Sequence, residues 1–357
     1  MEGTDVIRIA SKEDVTMRTA LILAVASMLV AATMTIAAED PEVDAEAYNQ
    51  CLLEKMRTAA DETPVSELRE ACLVDSRGAE TKETEVADAM EEGDETTPLD
   101  KRIEETRATE QMRFVITPYK LNYLLVGYND NPNTAPFEEA FPDEDVAFRP
   151  AEVKFQISFM FPIVQNIYRD NGDLYFAFTS RSFWQLFNEE FSAPFRETNY
   201  EPEFWFRFDT DWKILGLTNR LLTFGYNHQS NGRNRPLSRS WNRLFASFVL
   251  ERGNFAMGIK PWIIIGDLDD NPDIDDYLGN YELRFFYKWK RHTFSLMTRN
   301  QLQSGFETGA YQFDWSFPLY RRLRLYTQYF NGYGESLIDY DYFNNTLGVG
   351  LSFTDYF

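Results

Sequence analysis

At 357 residues the chain can hold one large domain with appendages, and its formal net charge of −22 leaves no basic footprint of the kind nucleic acid requires. Aromatic residues reach 16%, with 30 Phe and 19 Tyr. Yet mean hydropathy is negative, and past the N-terminal region no window comes near the ~18 uninterrupted apolar residues of a spanning helix. That combination argues against a multi-helix membrane protein and suits a transmembrane β-barrel, an aromatic richness that some soluble β-proteins share.

In chain order, residues 17–38 have the layout of a secretory leader. Met17 and Arg18 form a short basic start, Leu21 to Val30 the apolar stretch, and small residues run to Ala37 and Ala38, either of which suits cleavage. Glu2, Asp5, Glu13 and Asp14 are out of place in a leader. Translation is therefore expected from Met17, with 1–38 assigned to the signal region. A membrane anchor helix is the competing reading, for which the apolar stretch is short. Residues 39–110 carry 23 acidic against 8 basic side chains and form an acidic N-terminal extension, expected in the periplasm. Its 39–74 part holds the two cysteines, Cys51 and Cys72. After export an even count favours a disulfide, closing a helical hairpin across Thr63 and Pro64. Residues 75–111 read as an acidic linker, disordered over 75–98.

From about Phe114 the pattern becomes strict alternation. Val153, Phe155, Ile157, Phe159 and Phe161 interleave with Glu152, Lys154, Gln156 and Ser158. The same period returns in Phe204/Phe206/Phe208, Phe255/Met257/Ile259, Tyr281 to Trp289, and Tyr311 to Phe317. About twelve such segments are separated by Asn, Asp, Gly and Pro clusters. Apolar-out, polar-in strands predict an all-β, twelve-stranded antiparallel transmembrane barrel over 112–357; a soluble β-sandwich is the alternative. The chain ends on Leu347, Val349, Leu351, Phe353 and Phe357, an ending that resembles the signal strand of bacterial outer-membrane proteins and favours the barrel.

Within that pattern, His228 and Ser230 stand two residues apart, so on a strand they share a face. The imidazole can take the hydroxyl proton. Asn242, on the following strand, can hold the other ring nitrogen, which completes a nucleophile, base and orienter set. All three share parity with apolar stripes: Leu222, Phe224 and Tyr226 on one strand, Leu244, Ala246 and Phe248 on the next. In a barrel that face meets lipid. The second histidine, His292, follows a basic Lys288-Trp289-Lys290-Arg291 turn and reads as a surface residue. The opposite faces carry Asn227 and Thr223 on one strand and Arg243 and Ser247 on the other; headgroup binding or solvent exposure is the bland reading of Arg233 and Arg243.

At four blocks the chain resembles outer-membrane phospholipase A of Gram-negative bacteria. They are residues 192–202, Tyr226 to Arg243, Asp269 to Ile274, and Leu325 to Gln328 with Gly332 to Tyr340. The resemblance covers about 112–357. It implies calcium-dependent hydrolysis of phospholipid and lysophospholipid acyl esters at the outer membrane by a homodimer. Ser230 matches the family's nucleophile, His228 its base, Asn242 the orienting residue and Gly232 the oxyanion-hole N–H. For Ca²⁺, the Arg233 and Ser238 carbonyls match ligands from one subunit and the Ser192 hydroxyl one from the other. A second, weaker site in the family uses two aspartates. Asp270 matches one, but Arg235 stands where the other is expected. Ser180 replaces a glutamine of the family's dimer contact. A catalytically silent barrel (a narrow porin or structural protein) is the competing reading, and a binding scaffold led by residues 39–110 is a third.

Overall fold

The computed structural model describes residue 72 and residues 96–110, 115–189, 194–300 and 302–356. The leader, the hairpin helices, Cys51 and Ser192 lie outside the described residues; Cys72 is described, and is buried. The chain divides into two compact units, 1–95 and 96–357.

The alternating segments become twelve long strands: β1 (Tyr123–Asn129), β2 (Ala151–Val164), β3 (Asp173–Trp184), β4 (Phe195–Asp209), β5 (Leu217–Ser230), β6 (Ser240–Arg252), β7 (Phe255–Ile265), β8 (Tyr281–Trp289), β9 (His292–Arg299), β10 (Ala310–Tyr320), β11 (Leu323–Tyr333) and β12 (Phe343–Ser352). Each pairs antiparallel with its chain neighbours, and β12 returns to β1 with Val349 opposite Val126 and Leu351 opposite Leu124. The sheet is a closed barrel, so no long edge is left unpaired. That is the condition for strands to cross hydrocarbon, where water cannot satisfy backbone groups. Two-residue strands at Thr117–Pro118 and Lys213–Ile214 add to β2 and β5.

The two faces settle barrel against sandwich. Ile157, Phe161, Phe224, Leu244, Ile263 and Leu347 point out and are exposed, while Lys154, Gln156 and Ser158, interleaved with Ile157, are buried. The interior is polar and filled. Lys154 Nζ reaches Glu335 Oε1 at 2.9 Å and Gln328 Oε1 at 2.6 Å. Arg196 clasps Glu152 with Nε and Nη2, at 3.0 and 2.9 Å, and Asp339 with Nη1 at 2.7 Å. Arg243 belongs to this interior, on the face opposite Asn242 and Leu244, and not to headgroups or solvent. Its Nε donates to Asn227 Oδ1 at 3.0 Å, and its guanidinium lies 4.0 Å from the Trp241 ring centroid. The strand period forces this: Arg243 has the opposite parity to Asn242 and Leu244.

Tight turns at 253–254, 290–291 and 321–322 close one end of the barrel, and long loops at 231–239, 266–280 and 334–342 close the other. Short turns mark the periplasmic side of such barrels and long loops the external side. The candidate residues lie at the long-loop end. His292 lies at the opposite end, in an aromatic cluster and not simply on a surface turn. Its ring stacks on Trp289 and Trp315, with centroids 5.7 and 5.9 Å apart, and Trp315 Nε1 donates to its Nδ1 at 3.2 Å.

Helix α1 (Pro98–Glu110) stands where the C-terminal part of the 75–111 linker is expected; residues 75–95 and 111 lie outside the described residues. It packs on the short-turn end through ion pairs of Arg107 with Asp173 and Asp209, and of Asp100 with Arg220. Thr97, just before it, donates to Glu251. Two shorter helices, α2 (Ala135–Ala140) and α3 (Ile274–Leu278), lie in the long-loop region.

Candidate active site

Strands β5 and β6 carry the candidate residues in a register that explains why they meet. His228 stands directly opposite Asn242, and Ser230 opposite Ser240. His228 Nδ1 and Asn242 Oδ1 are 2.8 Å apart. Since Oδ1 can only accept, this contact requires the proton on Nδ1 and leaves Nε2 with a free lone pair, as a base needs. Ser230 lies two positions along β5 on the same outer face. Among the described residues no hydrogen bond joins His228 Nε2 to Ser230 Oγ; contacts of this kind commonly tighten only when substrate is bound.

A cross-strand row runs through the site. Ser180 on β3 faces Tyr200 on β4, and Tyr200 faces Ser230 on β5. The position linked to the family's dimer contact thus lies in the same row as the candidate nucleophile. Around it the outer face is apolar: Phe204 is 44% exposed, Leu244 43% and Ile263 61%.

Beyond Ser230 the chain enters the 231–239 loop. Gly232 has φ +66, and an added Cβ would stand 3.3 Å from the Tyr200 ring. A side chain there would be strained and crowded. No hydrogen bond among the described residues uses the Gly232 N–H, so it is available to a developing oxyanion. The residue that shapes this loop is Asn231, which no sequence pattern singles out. Its Nδ2 donates to the Leu237 carbonyl at 2.8 Å, and its Oδ1 accepts from Arg239 N at 3.0 Å. The asparagine was visible in the sequence, but its partners are fixed only by the loop's path.

The expected calcium ligands divide. No hydrogen bond among the described residues ends on the Arg233 carbonyl. The Arg233 side chain is occupied with holding the loop: Nη2 donates to the Arg196 carbonyl at 2.6 Å, and Nε lies 3.3 Å from Glu197 Oε2. The Ser238 carbonyl accepts from Arg239 Nη1 at 2.7 Å. Hard carbonyl and hydroxyl oxygens are donors that suit Ca²⁺, and the two carbonyls bracket one loop. Asp270 differs. Arg235 Nε donates to its Oδ1 and Ser238 Oγ to its Oδ2, both at 2.6 Å. The Ser238 hydroxyl, with Arg235 beside it, holds the Asp270 carboxyl below the usual carboxylate range. Asp270 is thus paired with a cation, Arg235, where the resemblance implies a second carboxylate.

Comparison with known proteins follows the same lines. The family model described as phospholipase A1 matches residues 99–353. Phospholipase A1 of Klebsiella pneumoniae is 43% identical over 246 residues, covering 68% of this chain and 84% of the relative. That of Escherichia coli K12 is 42% identical, covering 68% and 83%. Among solved structures, outer membrane phospholipase A from Escherichia coli superposes with a TM-score of 0.66 at 40% identity, covering 71% of this chain and 98% of that one. The Salmonella typhi outer membrane phospholipase dimer with bound calcium gives the same values.

Proposed function

This chain belongs to the phospholipase A1 family and is an outer-membrane β-barrel phospholipase; from that premise we propose that it hydrolyses phospholipid and lysophospholipid acyl esters, at sn-1, sn-2 or both, as a calcium-dependent homodimer with a Ser230-His228-Asn242 triad on its lipid-facing surface. The observation that carries this reading is the 2.8 Å contact between His228 Nδ1 and Asn242 Oδ1, with Ser230 on the same outer face.

Bound substrate brings its ester carbonyl against Ser230. His228 Nε2 takes the Oγ proton as Oγ attacks the carbonyl carbon. The charge that develops on the carbonyl oxygen is met by the Gly232 N–H. The tetrahedral intermediate collapses, and His228 gives its proton to the departing glycerol oxygen. Water, deprotonated by the same imidazole, then attacks the acyl-serine; the acyl–Oγ bond breaks, His228 returns the proton to Ser230 Oγ, and the fatty acid leaves. Asn242 holds the ring in the reactive tautomer throughout, and because it is neutral it stabilises the imidazolium less than a carboxylate would. The Arg233 and Ser238 carbonyls, with Ser192 of the second subunit, would hold Ca²⁺, whose positive charge would supply additional oxyanion stabilisation. Asp270 is left out of that set.

The test is fatty-acid release from a short-chain phosphatidylcholine in detergent, with calcium, with chelator, and with Ser230→Ala. Release that needs both calcium and Ser230 is expected, with the variant at least about 10³-fold slower. Release unaffected by Ser230→Ala would discard the triad. Release that needs Ser230 but persists in chelator would discard the metal.

A further inference from the structure

We infer that Tyr226 is a positioning residue of this site, acting through Asn242; the inference rests on the Ser-His-Asn reading and deepens it. Tyr226 lies on the outer face of β5, two residues before His228, so its ring projects along the same face. Its hydroxyl donates to Asn242 Oδ1 at 2.6 Å. That is the oxygen His228 Nδ1 approaches at 2.8 Å. One carbonyl oxygen therefore receives two donors, one from the candidate base and one from a phenol.

The arrangement answers a problem specific to an asparagine orienter. A carboxylate presents an acceptor whichever way it turns. An amide presents an acceptor on one side and a donor on the other. Were the Asn242 amide reversed, Nδ2–H would donate to Nδ1 and place the ring proton on Nε2. His228 could then no longer accept the Ser230 proton. Reversal would also leave the Tyr226 O–H with no acceptor. Its cross-strand neighbours are Phe204 and Leu244, and neither can accept a hydrogen bond. A donor stranded on a lipid-facing surface is costly. The phenol thus ties its own satisfaction to the amide orientation that catalysis needs. On the other side, the Asn242 nitrogen faces Gly266, where an added Cβ would stand 3.5 Å from it. The sequence reading placed Tyr226 in the apolar stripe, and only the register of β5 on β6 gives its hydroxyl a purpose.

The experiment compares Tyr226→Phe in two backgrounds, native Asn242 and Asn242→Asp, in the folded calcium-loaded protein. In the native background kcat is expected to fall about ten-fold with KM little changed, since a fixed orientation is lost and not a substrate contact. In the Asn242→Asp background the same change is expected to cost less than about two-fold, because either carboxylate oxygen serves. The ¹⁵N shifts of His228, read on the resting protein at alkaline pH, give a second measure that needs no activity. They are expected to report the Nδ1–H tautomer in the native chain and a rise in Nε2–H in Tyr226→Phe. Equal losses in both backgrounds, no loss with Asn242, or an unchanged tautomer would each overturn the inference. Activity surviving Ser230→Ala would instead remove the triad on which it stands.

Discussion

Arg235 and Asp270 show how a single charge redefines a loop. The 2.6 Å contacts from Arg235 Nε and Ser238 Oγ engage both oxygens of the Asp270 carboxylate. Because its folded-state pKa is depressed, the stabilising contribution of this contact is present above the unfolded value near 3.9. It is lost only as pH falls through the lower folded value, so the clasp is closed at neutral and mildly acidic pH. Arg235→Asp would replace the clasp with a pair of carboxylates. The calcium concentration for half-maximal activity is expected to fall about three- to ten-fold, since ligand charge sets affinity in oxygen sites. Arg235→Ala, which frees Asp270 without adding a ligand, should move it less. A calcium titration of activity reads both, and an unmoved midpoint in Arg235→Asp would show that Arg235 is not what closes this site. At this scale the sequence was legible where chemistry follows spacing. His228 and Ser230 had to share a face, and Asn242 was placed by counting along the next strand. The inward face of Arg243 follows from the same parity, but Tyr226 needed the strand register and Asn231 the path of its loop, neither of which one sequence specifies.

Among the elements, α1 is the longest helix the sequence concealed. PLDKRIEETRATE carries only Leu99 and Ile103 as large apolar residues and no sustained apolar stripe, so it reads as linker. Its anchors are distant in sequence: Arg107 pairs with Asp173 and Asp209, and Asp100 with Arg220. A helix held by charges supplied from barrel strands leaves no periodic trace of its own. The strands are the opposite case, because each buries its polar face and exposes its apolar one at a period of two. Arg107→Ala is expected to destabilise the barrel by about 1–2 kcal/mol. The Asp173 carboxylate, almost fully buried, loses a charged donor but keeps Asn166 N at 2.9 Å. Arg107 itself is 30% exposed, so water tempers the loss. Urea unfolding in detergent measures it. No change in midpoint would mean that α1 rests on the barrel without holding it.

The whole molecule bears on whether this barrel is also a pore. A narrow porin needs a continuous wet path, and here the interior is bridged at several levels. Arg196 joins Glu152 on β2 to Asp339 in the last long loop. Lys154 joins β2 to Glu335 and to Gln328 on β11. Lys120 and Lys260 converge on Glu203, and Lys120 also pairs with Glu201. At the short-turn end α1 adds its own ion pairs. The Arg196 and Lys154 bridges pair buried charges of opposite sign, so opening a path through them would strand ions in a low-dielectric interior at several kcal/mol apiece. The folded barrel is therefore expected to show no ion conductance above background in a planar bilayer, at an activity-competent calcium concentration. Arg196→Met tests the cause. It leaves Glu152 and Asp339 buried without their cation and is expected to cost about 3–5 kcal/mol of stability. It is also expected to give fluctuating conductance in the fraction that still folds, because water must enter to solvate the stranded carboxylates. Steady native conductance would revive the porin reading for the lumen while leaving the outer-face chemistry untouched. The two functions would occupy opposite faces of the same strands.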